Sequence, residues 1–413
     1  MSGRTYHDPL HGAIRLERSD PAEALAIALI DTAPFQRLRR IRQLGPAYLT
    51  FHGAEFSRFT HSLGVLHLAR LALAQLAPHH PELLEHRGVL YAAALLHDVG
   101  HGPLSHSGEE MYGLNHEAWS GRLVREHPQL RGLLESHAEG CADAVADLLE
   151  HGRYPVQAIK ALVSSQLDCD RLDYLQRDGY STGASYGRLD LQRILAALTL
   201  APDGALAVQP KGLMAVEHYL VVRNLMYRSV YNHRLNVVCN WLLRRLISVA
   251  RQLGPGRVWA DAVMGRWLWE RGSLDLASFL ANDDIRTGYH LERWQEEGPK
   301  ELADPCRRLL ERRLLKATDV ASRDRGSQLE LLAQARTLAS QAGFDPDGCC
   351  ALEQRQTRGY HPYAGGLRLW DGRTLQALEQ RSPLVHSLSE PAQLAWLIHP
   401  AEVAPKLRRF LDS

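Results

Sequence analysis

Long apolar runs and a net charge are both missing from this sequence. No stretch reaches the roughly 18 apolar residues that a membrane-spanning helix needs, and the segment MSGRTYHDPLHG is too polar for a signal peptide. The formal net charge of the 413 residues is only +1, which provides no global attraction to nucleic acids or anionic membranes. We therefore expect a soluble cytoplasmic protein without a membrane partner, and nothing indicates a nucleic-acid partner.

The cysteine pattern excludes two further classes of protein. The six cysteines form no CxxC pair and no regular spacing, which argues against a disulfide framework and against a zinc knuckle. We interpret them as free thiols in a reducing compartment. Repeats and low-complexity segments are also missing, and a composition of 45% apolar and 23% charged residues is typical of a globular chain with a substantial core.

Helical periodicity dominates most of the chain. Residues 21–195 show apolar residues at helical spacing, and the first of these segments, 21–45, ends at Gly45 as a predicted C-cap. The segment HRGVLYAAALLHDVGHG is apolar on nearly every side, as expected for a central core helix. A long helix is predicted over 212–252. The fold class predicted is mainly α.

Short β elements are predicted in three places. Residues 1–20 alternate as an extended segment, and LTLAPDGALAVQ is typical of a β-hairpin that turns at Asp203-Gly204. Residues beyond 290 are richer in glycine, proline and mixed short elements, with a candidate strand LRLWD and a candidate helix GRTLQALEQR. We therefore predict a mainly helical domain at residues 1–290 and a smaller mixed α/β lobe at residues 291–413.

The stretch ALLHDVGHGPLSHSGE concentrates the chemistry of this chain. His97 and Asp98 are adjacent, and imidazole and carboxylate together suit divalent first-row metals. Neighbours on a helix point about 100° apart, so both can reach one ion only near a helix end or between helices. Gly100 and Gly102 follow at once and indicate such an end.

Two more ligands of this candidate metal site are expected from distant segments. His61 in RFTHSLG and Asp170 in QLDCDRLDYLQRDG each interrupt an apolar helical pattern, where a charge needs a partner. Any single histidine is more often a core or surface residue than a ligand. The combination of His61, His97-Asp98 and Asp170 carries the prediction. An all-nitrogen and oxygen site accepts Mn, Mg, Fe, Co, Ni or Zn, so we expect one divalent ion of any of these kinds.

These motifs resemble the HD-domain superfamily of metal-dependent phosphohydrolases, whose signature is H…HD…D. Within it the chain is similar to deoxynucleoside triphosphate triphosphohydrolases, the group that includes the animal SAM-and-HD-domain enzymes and bacterial dGTPase-like proteins. The resemblance covers roughly residues 7–235. It rests on the stretches DPLHGAIRLE, IDTAPFQRLRRIRQLGPAYLTFHGAEFSRFTHSLGVLHLA, AALLHDVGHGPLSHSGE, NHE, LDCDRLDYLQRDGYSTG and RNLMYRSVYNHR.

The resemblance implies a role for each matching residue. The implied metal ligands are His61, His97, Asp98 and Asp170. The implied catalytic residues are His101, His106 and His116, with Glu117 orienting one of the histidines. The implied triphosphate contacts are Arg58, Arg171, Tyr174 and Arg223. The implied sugar contacts are Asp178 and Tyr231, with Gln43 and Leu44 sensing the ribose and its 3′-hydroxyl. Tyr227 stands where the animal enzymes have a histidine near the phosphates.

The residue types agree with these roles. Arginine forks match phosphate oxygens, although arginines on a solvated helix face that form ion pairs are the alternative for Arg58, Arg171 and Arg223. Core packing is the alternative for Tyr174 and Tyr231. A divalent metal polarises a phosphoryl oxygen, and a histidine can protonate the leaving oxygen near neutral pH.

A second nucleotide site is also implied by the resemblance. Its base-reading residues correspond to Asp31, Gln36 and Arg39, and an upstream basic residue corresponds to Arg4. Asp31 and Arg39 lie two turns apart if the segment is one helix, with Gln36 somewhat off their face. The implied partner is an activating guanine nucleotide or dNTP, and the implied assembly is a homo-oligomer, a dimer or a tetramer. Helix capping by Asp31 and a surface location for the arginines are the alternative.

The predicted function is hydrolysis of a dNTP to a deoxynucleoside and inorganic triphosphate. The first alternative is an HD hydrolase of another phosphoester: a nucleotide monophosphatase, a guanosine tetraphosphate hydrolase or a single-strand nuclease. The second is a non-catalytic nucleotide-binding module, which an intact set of four metal ligands disfavours. GYSTG after Asp170 replaces the GYP motif of cyclic-di-GMP phosphodiesterases.

Overall fold

The computed structural model describes residues 3–362 and 366–411, and these are mainly α-helical. The prediction of a mainly helical fold with small β elements is confirmed. No helix among the described residues is both long and apolar enough to cross a bilayer. All six cysteines are buried free thiols.

The chain opens with a two-stranded antiparallel hairpin. Strand β1 (Arg4–Asp8) pairs with β2 (Gly12–Leu16), and Asp8 lies opposite Gly12 across the turn. Gly12 has a φ of +73°, a left-handed conformation that favours glycine. Ile14 and Leu16 are fully buried, so the hairpin packs into the core and confirms the extended pattern of residues 1–20.

A helical bundle follows the hairpin. Its α-helices are α1 (Pro21–Ile30), α2 (Ala33–Arg37), α3 (Arg58–Leu76), α4 (Arg87–Leu96), α5 (His106–Tyr112), α6 (His116–Glu126), α7 (Pro128–His137), α8 (Cys141–His151), α9 (Gln157–Val163), α10 (Cys169–Thr182), α11 (Leu191–Ala196), α12 (Leu213–Met226), α13 (Arg234–Leu253), α14 (Ala262–Trp269), α15 (Leu276–Leu280) and α16 (Asp284–Glu297).

Helix α4 lies at the centre of this bundle. It packs against α1, α3 and α8, and α3 also packs against α10. All residues of α4 from Leu90 to Leu96 are buried, which confirms the central helix expected from an apolar pattern on every side. This packing brings the end of α4, the start of α3 and the start of α10 together.

The single helix predicted over residues 21–45 is wrong. Helix α1 ends at Ile30, α2 begins after Thr32 with Pro34 in its first turn, and residues 38–40 form a 3₁₀ turn. A proline is tolerated in the first turn of a helix but removes a hydrogen bond in its interior, which explains the break. Gly45 begins a 3₁₀ segment instead of capping a helix, and the helical-face argument for Asp31 and Arg39 no longer applies.

The long helix predicted over residues 212–252 is interrupted. Residues 227–231 form a π-helical turn between α12 and α13. Such turns are rare and are frequent at functional sites. The predicted hairpin around Asp203-Gly204 is confirmed as β3 (Leu198–Leu200) and β4 (Leu206–Val208), with Gly204 at a φ of +77°.

The C-terminal part mixes helices with two small sheets. Its helices are α17 (Lys300–Leu310), α18 (Arg325–Gln341), α19 (Pro346–Cys349), α20 (Leu378–Arg381), α21 (Pro383–Leu388) and α22 (Ala404–Leu411). Its strands are β5 (Lys316–Asp319), β6 (Ala351–Thr357), β7 (Arg368–Trp370), β8 (Leu375–Ala377) and β9 (Ala392–His399).

Both sheets are consistent with the predicted mixed α/β lobe. The first is antiparallel in the order β5-β9-β6, and the second has the order β3-β4-β7-β8. Strand β7 confirms the candidate strand LRLWD, but the predicted helix GRTLQALEQR divides into β8 and the short α20. The parallel pairing of β4 with β7 joins the two parts of the chain. Residue 290 lies inside α16, and the domain division stays a prediction.

Candidate active site

The four predicted metal ligands converge from three helices. His61 lies in the first turn of α3, and Asp170 lies in the first turn of α10. His97 is the C-cap residue of α4, and Asp98 follows it outside the helix. The end of α4 therefore lets both adjacent side chains face one point, as the glycines after them indicated.

The distances between these side chains fit one bound cation. His61 Nε2 lies 3.0 Å from Asp170 Oδ1, 3.2 Å from His97 Nε2 and 3.6 Å from Asp98 Oδ2. His97 Nε2 lies 3.4 Å from Asp98 Oδ1. Donor atoms about 2.1 Å from one ion lie roughly 3.0–3.4 Å apart, so the spacing suits a divalent metal.

The hydrogen bonds of the two imidazoles direct their Nε2 atoms toward this point. His61 Nδ1 is 2.7 Å from Asp173 Oδ2, and His97 Nδ1 is 2.9 Å from the carbonyl oxygen of Ala94. Both partners only accept hydrogen bonds, so each Nδ1 carries a proton and each Nε2 is directed toward the centre of the cluster. Two imidazole nitrogens beside two carboxylates form a donor set that needs a positive charge between them.

The pKa shifts of His61 and Asp170 also indicate a site for positive charge. Burial opposes a charge on His61, but its hydrogen bonds to Asp170 and Asp173 outweigh burial and raise its pKa to about 10. Burial likewise opposes the charge of Asp170, while hydrogen bonds from His61 and His97 hold its pKa well below the usual range. The carboxylates therefore call for a positive charge at this point, which either a second proton on His61 or a divalent cation in its place can supply.

Arg58 contacts one of the candidate metal ligands, Asp98. It is buried, donates from Nη1 to Asp98 Oδ2, and donates from Nε to Ser105 Oγ at 2.7 Å. These two hydrogen bonds connect Asp98 to the loop before α5. Its predicted role as a triphosphate contact stays a prediction, since Arg58 also lines the cavity described below.

The three predicted catalytic histidines lie side by side. The rings of His101 and His116 stack at 4.0 Å, and His106 is 4.8 Å from His101 between ring centres. His101 is fully buried: its Nε2 lies 3.3 Å from Asp98 Oδ1 outside hydrogen-bond geometry, and its Nδ1 makes no hydrogen bond among the described residues. Burial and the nearby charge of Arg58 hold the pKa of His101 well below its usual value.

The carboxylate of Glu109 contacts two of these histidines. Glu109 Oε2 lies 2.6 Å from His106 Nδ1, and Oε1 lies 2.5 Å from His116 Nδ1. Glu117 is exposed at the cavity wall and makes no hydrogen bond to a histidine in the described part of the chain. The orienting role predicted for Glu117 stays a prediction. The three-residue spacing from His106 to Glu109 on one helix face was the signal available in the sequence.

A cavity of about 480 Å³ opens beside the metal ligands and the histidines. Its volume lies within the range of small-molecule sites. Of the sequence-predicted site residues, it is lined by Gln43, Leu44, Arg58, His97, Asp98, His106, His116, Glu117, Asp170, Arg171, Tyr174, Asp178, Tyr227 and Tyr231. His61 and His101 lie beneath this lining.

One wall of the cavity is formed by Arg171 and three tyrosines. Arg171 is anchored by Asp168, the N-cap of α10. The Tyr231 ring lies 5.0 Å from Tyr227 and 6.0 Å from Tyr174, and the π-helical turn supplies two of these three rings. Arg223 does not line the cavity: it lies behind Tyr227 and donates to the carbonyl oxygen of Gly359 at 3.2 Å.

Three buried acceptor atoms in the cavity lining make no hydrogen bond among the described residues. They are Gln43 Oε1, Asp178 Oδ1 and Asn236 Oδ1. The other oxygen of Asp178 accepts a hydrogen bond from Tyr231 at 2.7 Å, while burial raises the pKa of this carboxyl to about 7. Buried polar groups without a partner are rare, so these acceptors in the cavity wall are available to a ligand or to water. Asn236 was not identified from the sequence.

The C-terminal part also contributes to the cavity. Arg355 of β6 is part of the lining and donates to Glu110 at 3.1 Å. The chain after β6 also lies near the start of α10, where the backbone N–H of His361 donates to Gln166 Oε1 at 2.9 Å. No motif in this part of the sequence indicated such a contact.

The four residues of the predicted second nucleotide site lie together on the surface. Arg4 donates to Asp31 Oδ1 at 2.7 Å, and Arg39 donates to Gln36 Oε1 at 2.8 Å. Gln36 Nε2 in turn donates to the carbonyl oxygen of Ile30, beside Asp31. Broken helical segments, not one helix face, bring these side chains together.

The comparison with known families agrees with this geometry. Residues 58–178 match the HD domain, and residues 189–255 match the HD associated region. The uncharacterized protein YwfO of Bacillus subtilis is 33% identical over 396 residues, which span 94% of this chain and 89% of YwfO. The chain belongs to the HD-domain phosphohydrolase superfamily. The HD match begins three residues before His61 and contains all four candidate ligands of this HD-domain protein.

Relatives with a described activity match a smaller part of the chain. The deoxynucleoside triphosphate triphosphohydrolase SAMHD1 of Gallus gallus is 29% identical over 286 residues, which cover 60% of this chain and 45% of SAMHD1. The SAMHD1 of Danio rerio is 27% identical over 281 residues, 58% of this chain and 44% of that protein. The chain thus spans less than half the length of these enzymes.

A solved structure matches the whole fold. A phosphohydrolase from Bacteroides thetaiotaomicron superposes with a TM-score of 0.84 at 25% identity and covers 96% of this chain and 100% of its own. The likeness therefore extends through the C-terminal lobe, beyond the segments that match the HD families. This HD-domain protein is a hydrolase of the phosphohydrolase type.

Proposed function

We propose that the protein hydrolyses deoxynucleoside triphosphates to a deoxynucleoside and inorganic triphosphate. The observation that carries the proposal is the joint location of three groups around one cavity: the HD ligand set, the histidines held by Glu109, and the wall of Arg171 and three tyrosines. The SAMHD1 relatives, named as enzymes of this reaction, support the substrate class.

The residues present fit a divalent metal, which would be held by His61, His97, Asp98 and Asp170. A metal at such a site acts as a Lewis acid that polarises a phosphoryl oxygen. Arg171 donates to the anionic tail of the substrate, and Asp168 holds its guanidinium in place. His106 lines the cavity with a largely exposed ring and donates a proton to the leaving oxygen, while Glu109 fixes its orientation.

The unpartnered acceptors explain how the sugar would be recognised. Gln43 Oε1 and Asp178 Oδ1 are buried in the cavity wall and can each accept a hydrogen bond from a sugar hydroxyl. A site built to bond a hydroxyl discriminates strongly against a substrate that leaves its polar atoms unpaired. Gln43, Leu44, Asp178 and Tyr231 therefore keep their predicted roles as sugar contacts in this proposal.

Product analysis tests the proposed function. Metal-replete protein is incubated separately with each dNTP and each NTP, and the products are identified by chromatography. We expect a deoxynucleoside and inorganic triphosphate in equal amounts. Release of monophosphate or pyrophosphate would indicate a hydrolase of another phosphoester, and no turnover of any nucleotide would indicate a binding module.

We further propose that a guanine nucleotide or a dNTP binds at Arg4, Asp31, Gln36 and Arg39 of a homo-oligomer and activates hydrolysis at the cavity. An aspartate that accepts from guanine N–H groups and an arginine that donates to O6 or N7 are suitable readers of guanine. The side chains of Arg4 and Asp31 are 39% and 51% exposed, so both are accessible to a ligand. Activation at a distance requires coupling between the two sites.

The double variant Asp31→Ala, Arg39→Ala tests this regulation. It should abolish activation by a second nucleotide and spare unstimulated turnover, as measured from substrate curves with single dNTPs and with pairs. The matched control is Arg15→Ala, which removes an exposed arginine of the β1–β2 hairpin that also carries Arg4. Hyperbolic curves under all conditions, with a double variant that behaves like the parent, would show that these residues have no regulatory role.

A further inference from the structure

A fully buried carboxylate lies behind the candidate metal site, and neither the sequence motifs nor the proposed reaction assigns it a role. Asp173 of α10 is 0% exposed and accepts four hydrogen bonds. Its Oδ2 is 2.7 Å from His61 Nδ1 and 2.7 Å from Arg177 Nε. Its Oδ1 is 2.6 Å from His11 Nε2 and 2.9 Å from Arg177 Nη2.

We propose that Asp173 is a positioning residue of the metal centre, and that the N-terminal hairpin is the outer support that holds it in place. An ionised carboxylate only accepts hydrogen bonds, so His61 carries its proton on Nδ1 and turns Nε2 toward the metal position. A carboxylate in this place also increases the basicity of the ligating imidazole. The inference rests on the metal centre of the proposed function and is independent of the substrate.

The hairpin reaches Asp173 through two residues of its turn. Asp8 Oδ1 accepts hydrogen bonds from the backbone N–H groups of Leu10 and His11, both at 2.9 Å, which shapes the turn and presents the His11 ring. Asp8 Oδ2 accepts from Arg177 Nη1 at 2.8 Å. Arg177 is therefore clamped between two aspartates, and His11 closes the remaining side of Asp173. Asp8 and His11 lie outside the segment that matches the HD domain.

A glycine in α3 makes room for this arrangement. Gly64 lies three residues after His61, on the side of the helix that faces α10. A Cβ atom at Gly64 would be 1.9 Å from Asp173 Oδ1 and 2.5 Å from Arg177 Nη2. Only glycine lets the carboxylate and the guanidinium approach the helix at this point. The motif THSLG thus contains both a metal ligand and the space for its supporting carboxylate.

The other candidate ligands have hydrogen-bond partners of a different kind from Asp173. His97 bonds the neutral carbonyl oxygen of Ala94, and Asp98 is bracketed by Arg58. Among the two candidate imidazole ligands, His61 alone has a carboxylate on its Nδ1. Removing that carboxylate should therefore weaken metal binding without removing any ligand.

The test compares Mn²⁺ affinity of metal-free parent and Asp173→Asn protein, measured by electron paramagnetic resonance of the free ion. An asparagine keeps the shape but presents N–H groups on one side, so it cannot accept all four hydrogen bonds. We expect the Kd for Mn²⁺ to rise about 10- to 100-fold, the usual effect of losing such a partner. Hydrolysis by the variant should recover toward the parental rate when Mn²⁺ is raised to saturation.

Glu23→Gln is the matched control. Glu23 is a buried carboxylate that accepts from Arg70 Nε at 2.9 Å and contacts no candidate metal ligand. It should lower thermal stability without changing the Kd for Mn²⁺. A purely structural Asp173 would behave in the same way, and a parental Kd in Asp173→Asn would overturn the proposal.

Two milder variants decide the question if Asp173→Asn fails to fold. His11→Phe keeps a ring but removes the donor to Asp173, and Gly64→Ala displaces the carboxylate while leaving it in the chain. Both should weaken Mn²⁺ binding, and parental affinity in both would refute the proposal. If the parent protein itself binds no divalent ion, the proposed metal centre is refuted. That outcome differs from a parent that binds Mn²⁺ and variants that bind it equally well, which would refute only the role of Asp173.

Discussion

Asp98→Ala should yield a folded protein that retains no divalent ion and has lost measurable hydrolysis. Asp98 lies within 3.6 Å of both candidate imidazole ligands through its two oxygens, so the variant removes one ligand and the centre of the cluster. Metal catalysis supplies several kcal/mol of transition-state stabilisation, so the rate should fall by roughly 10³-fold or more. Metal content by mass spectrometry and turnover with dNTPs measure the two effects.

The variant also leaves Arg58 buried without its carboxylate partner. A buried charge that loses its partner typically costs about 3–5 kcal/mol, so the melting temperature should fall while the fold is retained. Asp261→Ala is the control, since it breaks a partly buried pair with Arg286 away from the cavity and should retain both metal and activity. Full metal content in Asp98→Ala would show that the ligand assignment is wrong.

His106→Ala and His101→Ala should each retain the metal and lose about 10²- to 10⁴-fold in rate, the usual contribution of general acid–base catalysis. Both rings lie beside the metal ligands without belonging to them, and His101 Nε2 is 3.3 Å from Asp98 Oδ1. Single-turnover rates at saturating substrate, together with metal content, separate catalysis from metal loss.

Added imidazole distinguishes the two histidines. The side chain of His106 is 67% exposed at the cavity, so free imidazole can enter the space that His106→Ala creates and restore part of the rate. The fully buried His101 leaves no such route, and no rescue is expected there. Near-normal turnover in both variants would place the proton donor elsewhere.

The candidate metal ligands could be predicted from the sequence because each lies in a short motif with unusual chemistry. His97-Asp98 before two glycines indicated a helix end, and the structure places His97 at the C-cap of α4. His61 and Asp170 interrupted apolar patterns and now lie within 3.0 Å of each other. A polar residue within an apolar pattern is buried in the fold, and a buried charge needs a partner. The local pattern therefore predicted the contact that the tertiary structure shows.

The supporting residues could not be predicted in the same way. Asp173 contacts His11 across 162 positions of sequence, and no local pattern encodes a hydrogen bond over that distance. Glu109 was missed because the resemblance assigned it no role and its contact with His116 joins two different helices, α5 and α6. Arg355 reaches the cavity only because β6 packs near α5 in the folded chain.

The sequence by itself determined the helical class and, through its resemblance to the HD-domain family, the phosphohydrolase character of this protein, and it predicted the candidate metal-ligand set. These properties depend on periodicity and on residue types within short segments, where spacing along a helix defines which side chains share a face. The tertiary structure alone decided which carboxylates orient the histidines, which acceptors in the cavity stay unpaired, and how the N-terminal hairpin supports His61. Those contacts join distant segments, and packing of α3, α4 and α10 creates them.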